Sequence, residues 1–368
     1  MYSKKLLFLI TSILLCLSVN GFAKKSNTYK LEKVKSGLGV LWGMTFLNSF
    51  EILYTQRDGT MGKLNITTKK ITAINSPFDI MYDGQGGLLD VKVSKDFKTS
   101  GLLYFTYVKD KKAMGVTTLA SAEFLNSKFT NAKDILITKS ATNTSRHFGS
   151  RITFDDRGHI FFTVGDRGVR SNAQDLSTHA GKILRLNLDG TVPLDNPFIK
   201  TKNALPEIYS YGHRNPQGIF YDKKTKKLYA IEHGPRGGDE INLILKGANY
   251  GWPIISYGKE YWFPKSVGEG THKKGMEQPI KEYTPSIAPS TLMIYTGYRY
   301  PEFKGDIFAG ALKLTHINRI RFNSKNKEVF EKRMFEYLRE RIRHIIQGPD
   351  GLIYFSTDSG NIYRIIEQ

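Results

Sequence analysis

Cysteine is almost missing. The one cysteine of 368 residues, Cys16, falls within residues 1–23 (MYSKKLLFLITSILLCLSVNGFA), where two lysines, an apolar run from Leu6 to Val19 and the small-x-small site Gly21, Phe22, Ala23 form the pattern of a cleaved secretory signal peptide. Leu15 stands before Cys16 where lipoprotein processing needs a small residue, so no lipid anchor is expected. The remainder, 24–368, has no cysteine, which excludes disulfides, thiolate catalysis and cysteine-ligated metals. Long apolar runs are lacking too: nothing after the leader approaches the length needed to span a membrane, and a periplasmic or secreted location is expected. Acid is in short supply, with 34 Asp and Glu against 54 Lys and Arg, a formal charge of +20. Loss of the leader removes Lys4 and Lys5 and no acid, leaving +18. Such a balance invites a nucleic-acid partner. The lysines are instead dispersed or paired on turns (Lys223 and Lys224, Lys226 and Lys227, Lys273 and Lys274), and no arginine-rich tract exists. A solvated basic surface without a nucleic-acid partner is the reading.

Helical periodicity is also scarce. Short β-rich stretches recur between Gly, Asn and Asp turns. Six of them, at 39–65, 88–108, 150–188, 217–245, 289–322 and 342–366, share a rhythm of strand, polar turn, strand, as in FDDRGHIFFTVGD (154–166), YDKKTKKLYAIEH (221–233) and GPDGLIYFSTDSG (348–360). Spread over 24–368, six units take about 57 residues each, enough for four strands and their loops. The pattern predicts an all-β, six-bladed β-propeller with four-stranded antiparallel blades; a pair of β-sandwiches is the competing all-β arrangement. Blades sharing one core imply a single domain over 24–368 with no linker. The stretch 256–285, rich in Gly, Lys and aromatics, reads as loops over one face.

Unusual residues concentrate in 205–253 (LPEIYSYGHRNPQGIFYDKKTKKLYAIEHGPRGGDEINLILKGANYGWP). Arg214 and Asn215 lie where a strand ends before Pro216. A second strand runs into Gly234 and Pro235, and Gly237, Gly238, Asp239 and Glu240 lead to a third. A planar cation, an amide and a turn whose carbonyls and neighbouring carboxylates could hold a hard cation are thus close together. A decorated β-turn and an active-site wall both fit these residues. His147, in SRHFGSR, is either a hydrogen-bonded structural histidine or a general base; Asp166, ending IFFTVGD, is either a turn former or the carboxylate that orients it. Lys313 lies in GALKLTHI. Arg341 and Arg343, two apart on a strand, share one face, which either is solvated or turns into a central channel to receive a polyanion.

Ten motifs in order carry a resemblance: GQGGLLDV (84–91), HFGSRITF (147–154), FFTVGDRG (161–168), AGKILRLNLDGTVPLDNPF (180–198), YGHRNPQG (211–218), EHGPRGGDEIN (232–242), NYGWP (249–253), IAPS (287–290), GALKL (310–314) and RIRHIIQGPDGLIYFSTD (341–358). Together they resemble the soluble quinoprotein sugar dehydrogenases, most closely the aldose sugar dehydrogenase branch. The resemblance implies a propeller that holds pyrroloquinoline quinone (PQQ) and calcium and oxidises the anomeric hydroxyl of an aldose to the lactone. His147 then matches the general base, Asp166 the group that orients it, and Arg214 the cation beside the reacting carbonyl. Gln85, Arg214, Asn215, Tyr261, Ser290, Lys313, Arg341 and Arg343 match positions that hold the quinone, whose three carboxylates call for several cations. Gly234 and Pro235 resemble the calcium turn at the quinone, and Glu240 and Tyr250 the ligands of a second, structural ion. The loop GKEYWFPKS (258–266) and the insertion 272–285 depart from the family pattern where the sugar site would be shaped. Trp252, Tyr261 and Trp262 are candidates to stack on a pyranose or to pack. The electron acceptor is not indicated, and monomer and homodimer are both open. A calcium-dependent lactonase and a non-catalytic sugar-binding propeller are the alternative functions; neither uses Lys313, Arg341 and Arg343 together.

Overall fold

A computed structural model describes residues 28–262 and 264–368. The expected signal peptide, with Cys16, lies outside the described residues. Six four-stranded antiparallel sheets account for the described strands. From the channel outward, the first blade is Leu41–Phe46, Glu51–Gln56, Met61–Asn65 and Ile71–Ile74; the second is Leu88–Val93, Leu102–Lys111, Met114–Leu125 and Lys128–Ile137. The third is Ile152–Phe154, His159–Val164, Lys182–Asn187 and Ile208–Tyr211; the fourth is Pro216–Asp222, Lys227–Glu232, Asp239–Ile244 and Lys281–Tyr283. The fifth is Pro289–Ile294, Ile307–Ala311, Ile317–Phe322 and Glu328–Met334. The sixth takes Ile342–Gln347, Ile353–Thr357 and Ile362–Glu367 from the chain's end and its outer strand, Tyr29–Lys35, from near the start. Each innermost strand packs against the innermost strands of both neighbours, so the sheets form a closed six-bladed propeller.

The repeated turn has a common physical cause. Between the first two strands of the third, fourth and sixth blades, an aspartate side chain accepts the amide two residues on: Asp155 from Arg157 at 2.8 Å, Asp222 from Lys224 at 3.0 Å, and Asp350 from Leu352 at 3.1 Å. In the first blade Asn48 does the same for Phe50 at 2.8 Å. Each side chain replaces a backbone acceptor and reverses the chain locally.

Apolar side chains are shared between neighbouring blades instead of forming one central mass. Tyr104 and Leu119 of the second blade pack with Ile152, Phe162 and Leu184 of the third, and equivalent layers fill the other five blade junctions. This corrects the expectation of one shared core: six wedges meet around an axis that is polar. The stretch 256–285 also differs from its reading as pure loop, because Lys281–Tyr283 pairs with Asp239–Ile241 as the fourth blade's outer strand.

At the axis, buried Arg151 donates to Trp42 O (3.3 Å), Asp90 Oδ1 (2.8 Å), Gln217 O (3.2 Å) and Ser290 O (3.2 Å), and its guanidinium lies 4.1 Å from the Trp42 ring. Asp90 Oδ2 accepts the Ile152 amide at 2.9 Å, so both carboxylate oxygens are engaged. Removing one member of a buried pair strands the other's charge. Asp90→Asn should therefore lower the unfolding free energy by about 3 kcal/mol, read as a lower urea midpoint at unchanged slope; an unaltered midpoint would show that the pair is dispensable.

Candidate active site

The segments before the innermost strands converge at one end of the channel. His147 sits in a tight loop where the backbone is left-handed (φ 58°) and its amide donates to Gln85 Oε1 at 2.8 Å. A Cβ at Gly165 would lie 2.3 Å from His147 O, so the glycine before Asp166 lets the two loops touch. Asp166 Oδ1 then reaches His147 Nδ1 at 2.7 Å and accepts the Gly168 amide at 2.8 Å. Its Oδ2 accepts the Trp252 indole N–H at 2.8 Å. Burial alone would raise the Asp166 carboxyl, but the hydrogen bond and charge of His147, the charge of Arg214 and the Gly168 amide bring it below its ordinary value. Burial lowers the His147 imidazole, Asp166 opposes this, and Arg214 adds to the lowering; the net shift is downward. The histidine is neutral near pH 7, with Nδ1–H given to the carboxylate and Nε2 left as the basic nitrogen.

Arg214 stands beside this pair. Its carbonyl accepts the Asp166 amide at 2.8 Å, and its guanidinium donates to His233 O (3.1 Å) and the Tyr261 hydroxyl (3.2 Å). Trp252 is buried and orients Asp166, with Arg214 5.4 Å over its ring, whereas Trp262 is 91% exposed and Tyr261 54% exposed. Of the three candidate stacking aromatics, only the two in the 258–266 loop face solvent. Sequence reasoning missed the role of Trp252 because nothing local links residues 166 and 252.

A basic cleft opens next to the pair, lined by Gln85, Asn215, Arg341, Arg343 and Arg57. Arg341 Nε and Arg343 Nε both bind Asp358, each at 2.8 Å, so one carboxylate holds two guanidinium groups at the channel mouth. Arg57, which sequence reasoning did not single out, meets Tyr82 and leaves its Nε buried without a partner. Lys313 is an exposed rim residue following Leu312 of the cleft, its amide bonded to Ile287 O at 3.0 Å. Ser290 is placed differently: fully buried, it donates to Ile342 O at 2.6 Å between blades and does not line the cleft. Three arginines, Arg57, Arg341 and Arg343, line the cleft, and Asp358 is the one carboxylate bound to them, so the lining carries an excess of positive charge.

The Gly/Pro turn closes the other side. A Cβ at Gly234 would lie 2.1 Å from Gly238 O and 2.3 Å from Gly237 O, because backbone carbonyls crowd this point. Gly234, Glu232, Glu240 and Tyr250 surround one small cavity of about 20 Å³, while the Pro235 carbonyl accepts the Lys259 amide at 2.9 Å outside it. The Tyr250 hydroxyl is used by Leu243 O (2.6 Å) and the Leu245 amide (2.8 Å), leaving only its carbonyl for an ion. Glu232, opposite Glu240 in the sheet, is held by His213 Nδ1 (2.8 Å) and the Arg214 amide (2.7 Å). Burial, then the Glu232 charge, pushes the Glu240 carboxyl up to about 8. No group of three or more His, Cys, Asp or Glu that could hold a metal ion occurs among the described residues, so an ion here would depend chiefly on carbonyl oxygens.

A six-bladed propeller carrying a carboxylate-oriented histidine beside an anion-seeking cleft defines the class. Residues 38–364 match the family model described as Glucose / Sorbosone dehydrogenase, and the chain belongs to that family. It is 34% identical to the aldose sugar dehydrogenase YliI of Escherichia coli over 96% of both chains, and 27% identical to quinoprotein glucose dehydrogenase B of Acinetobacter calcoaceticus over 95% of this chain and 90% of that one. The apo crystal structure of the soluble E. coli aldose sugar dehydrogenase superposes with a TM-score of 0.89 at 33% identity, covering 93% of this chain and all of that one. No helix among the described residues is long and apolar enough to cross a membrane.

Two outcomes follow from the site's electrostatics. His147, His179 and His233 are all lowered by burial, His233 to about 3 with the Arg214 charge adding to the effect. Their folded values lie below the unfolded value of about 6.5, so their contribution to stability is complete above that pH and is lost as pH falls toward about 3. Calorimetric melting temperatures should drop below about pH 6.5; a rise on acidification would contradict the assignment. Trp252→Phe removes one donor from Asp166, which should raise the His147 titration point in a nitrogen-15 NMR titration.

Proposed function

We propose that this protein oxidises the anomeric hydroxyl of aldose sugars to the lactone, with PQQ as cofactor and calcium beside it. The observation that carries the reading is the His147–Asp166 contact at 2.7 Å next to a cleft lined by Arg57, Arg341 and Arg343, to which only the Asp358 carboxylate is bound. Family membership, and the quinoprotein name of the Acinetobacter relative, support it. The residues fit the cofactor: a tricarboxylate would satisfy the surplus of Arg57, Arg341 and Arg343, with Lys313 on the rim beside them, and the orphaned Arg57 Nε asks for an acceptor. Asn215 and Gln85 would add neutral hydrogen bonds. They fit an ion as well. Gly234, the carbonyl of Tyr250 and Glu240 surround a cavity large enough for about one ion, and Glu240, raised by burial and the Glu232 charge, stands where a cation would lower it. When bound, the quinone supplies the two-electron acceptor for the C1 hydride, and calcium a Lewis acid.

The chain's own residues handle the proton and the charge. His147 Nε2 takes the proton of the C1 hydroxyl as the C1 hydride departs, leaving the C1 oxygen as the lactone carbonyl. Asp166, fixed by Trp252 and Gly168, keeps the imidazole in the tautomer that accepts at Nε2 and stabilises the imidazolium that forms. Arg214, braced by His233 and Tyr261, offers a fixed cation where negative charge develops, so little reorganisation is needed. Exposed Tyr261 and Trp262 supply apolar faces for a pyranose ring.

His147→Gln should lower sugar-dependent dye reduction by about 10²- to 10⁴-fold while quinone affinity, measured by isothermal titration, stays within error. An unchanged rate would remove the base assignment. Titrating metal-stripped protein with calcium should raise its melting temperature, and Glu240→Gln should abolish that rise while itself stabilising the metal-free form above about pH 8, where the Glu240 charge would repel Glu232.

A further inference from the structure

The channel has a second mouth. At the far ends of the innermost strands lies a cavity of about 410 Å³, separated from the basic cleft by the Arg151 layer. Its walls are largely aliphatic and aromatic, with Met44, Phe220, Leu292, Met293 and Ile345 among them. No aspartate or glutamate lines it, although Lys92, Arg151 and His344 do.

Lys92 is the feature that calls for an explanation. It lies two residues after Asp90 on the same strand, so both side chains leave the same face toward the axis. Asp90 is consumed by Arg151 and the Ile152 amide, and the half-buried Lys92 ammonium has no hydrogen-bond or ion-pair partner among the described residues. Burial depresses the Lys92 ammonium; the Asp90 charge opposes this, and Arg151 and Lys223 add to the lowering. His344 gives no compensation: its Nδ1 accepts the Met44 amide at 3.0 Å, and burial together with the charges of Arg151 and Lys92 holds it neutral. The site therefore carries positive potential, an unpartnered ammonium and an apolar body, with no acid to neutralise it. A sugar, which is neutral and carries hydroxyls around its whole ring edge, does not match a lining that is aliphatic and positively charged.

We propose that this lower channel mouth binds an amphiphilic monocarboxylate, with the carboxylate on Lys92 and the hydrocarbon body against Met44, Phe220, Leu292 and Met293. A carboxylate there restores the charge balance that the fold leaves open, and the hydrocarbon displaces water from aliphatic walls. Cavities of this size and lining are typical of small-ligand sites. The proposal is independent of the sugar reading, since none of the residues assigned to the sugar chemistry lines the cavity.

Full-length mature protein labelled with carbon-13 at the methionine methyls provides the test. Octanoate, octanol and inorganic phosphate are titrated separately. Octanoate should shift the Met44 and Met293 methyl signals saturably and leave those of Met61, Met276 and Met334 in place. Lys92→Met should weaken octanoate binding at least about tenfold, the scale of a lost charged hydrogen bond, while Lys92→Arg retains it. Lys92→Met should also melt at a higher temperature than the parent when no octanoate is present, because a half-buried ammonium without a counter-ion is replaced by an apolar side chain. Absence of shifts at Met44 and Met293, equal binding of octanol, or undiminished binding by Lys92→Met would each overturn the assignment. A phosphate response at the same methyls as strong as octanoate's would also overturn it, by showing a simple anion site.

Discussion

The Arg151 guanidinium ties the ring together. From the entrance to the third blade's inner strand it bonds to the first, second, fourth and fifth blades, and Ser290, whose carbonyl it holds, passes a hydrogen bond to Ile342 of the sixth. A propeller axis is a difficult place to fill, because six inner strands present polar backbone to a narrow channel that apolar side chains cannot satisfy. A planar five-donor cation with one buried counter-ion answers that demand in a single layer. The apolar wedges between blades fix each pair of neighbours, whereas the axial layer sets all six in register. The cleft above and the cavity below depend on this partition.

In the upper cleft, loops from different blades each contribute one or two groups. Blade junctions bring His147 from the second-to-third connection, Arg214 and Asn215 from the third-to-fourth, and Arg341 from the fifth-to-sixth. Rigid sheets hold the loop bases while the loops carry the chemistry. Charge is distributed unevenly on purpose: carboxylates gather under the Gly234 turn, where Glu240 is strained upward in pKa, and cations gather above Asp358.

Much of this was readable in the chain. The D-x-x-G rhythm predicted blades because an aspartate accepting the amide two residues ahead is a local event, visible in local sequence. The first two strands of the third, fourth and sixth blades were found that way. Outer strands such as Glu328–Met334, whose burial pattern is almost wholly exposed, and three-residue Lys281–Tyr283 lack alternation and were invisible. At the site, His147, Asp166 and Arg214 stand together in space as the motifs implied. Ser290, expected to face the cleft, lies between blades on Ile342 O, because a motif does not show which way a side chain turns. Trp252, Arg57 and the Asp90–Arg151 pair could not be read, since each depends on partners tens of residues away.

The sixth blade joins the two ends of the described chain in one sheet, Tyr29 opposite Glu367, with Glu32 and Arg364 forming a bidentate ion pair across the seam at 2.9 Å. The circle is thus fastened by hydrogen bonds and one ion pair at a single clasp, and covalently continuous everywhere else. During synthesis five blades can assemble in order, each resting on the one before, but the first blade keeps a bare flank until the sixth blade's strands emerge, and Tyr29–Lys35 stays unpaired until Ile362–Glu367 follows them. The last few residues of the chain therefore decide whether a stack of blades becomes a ring.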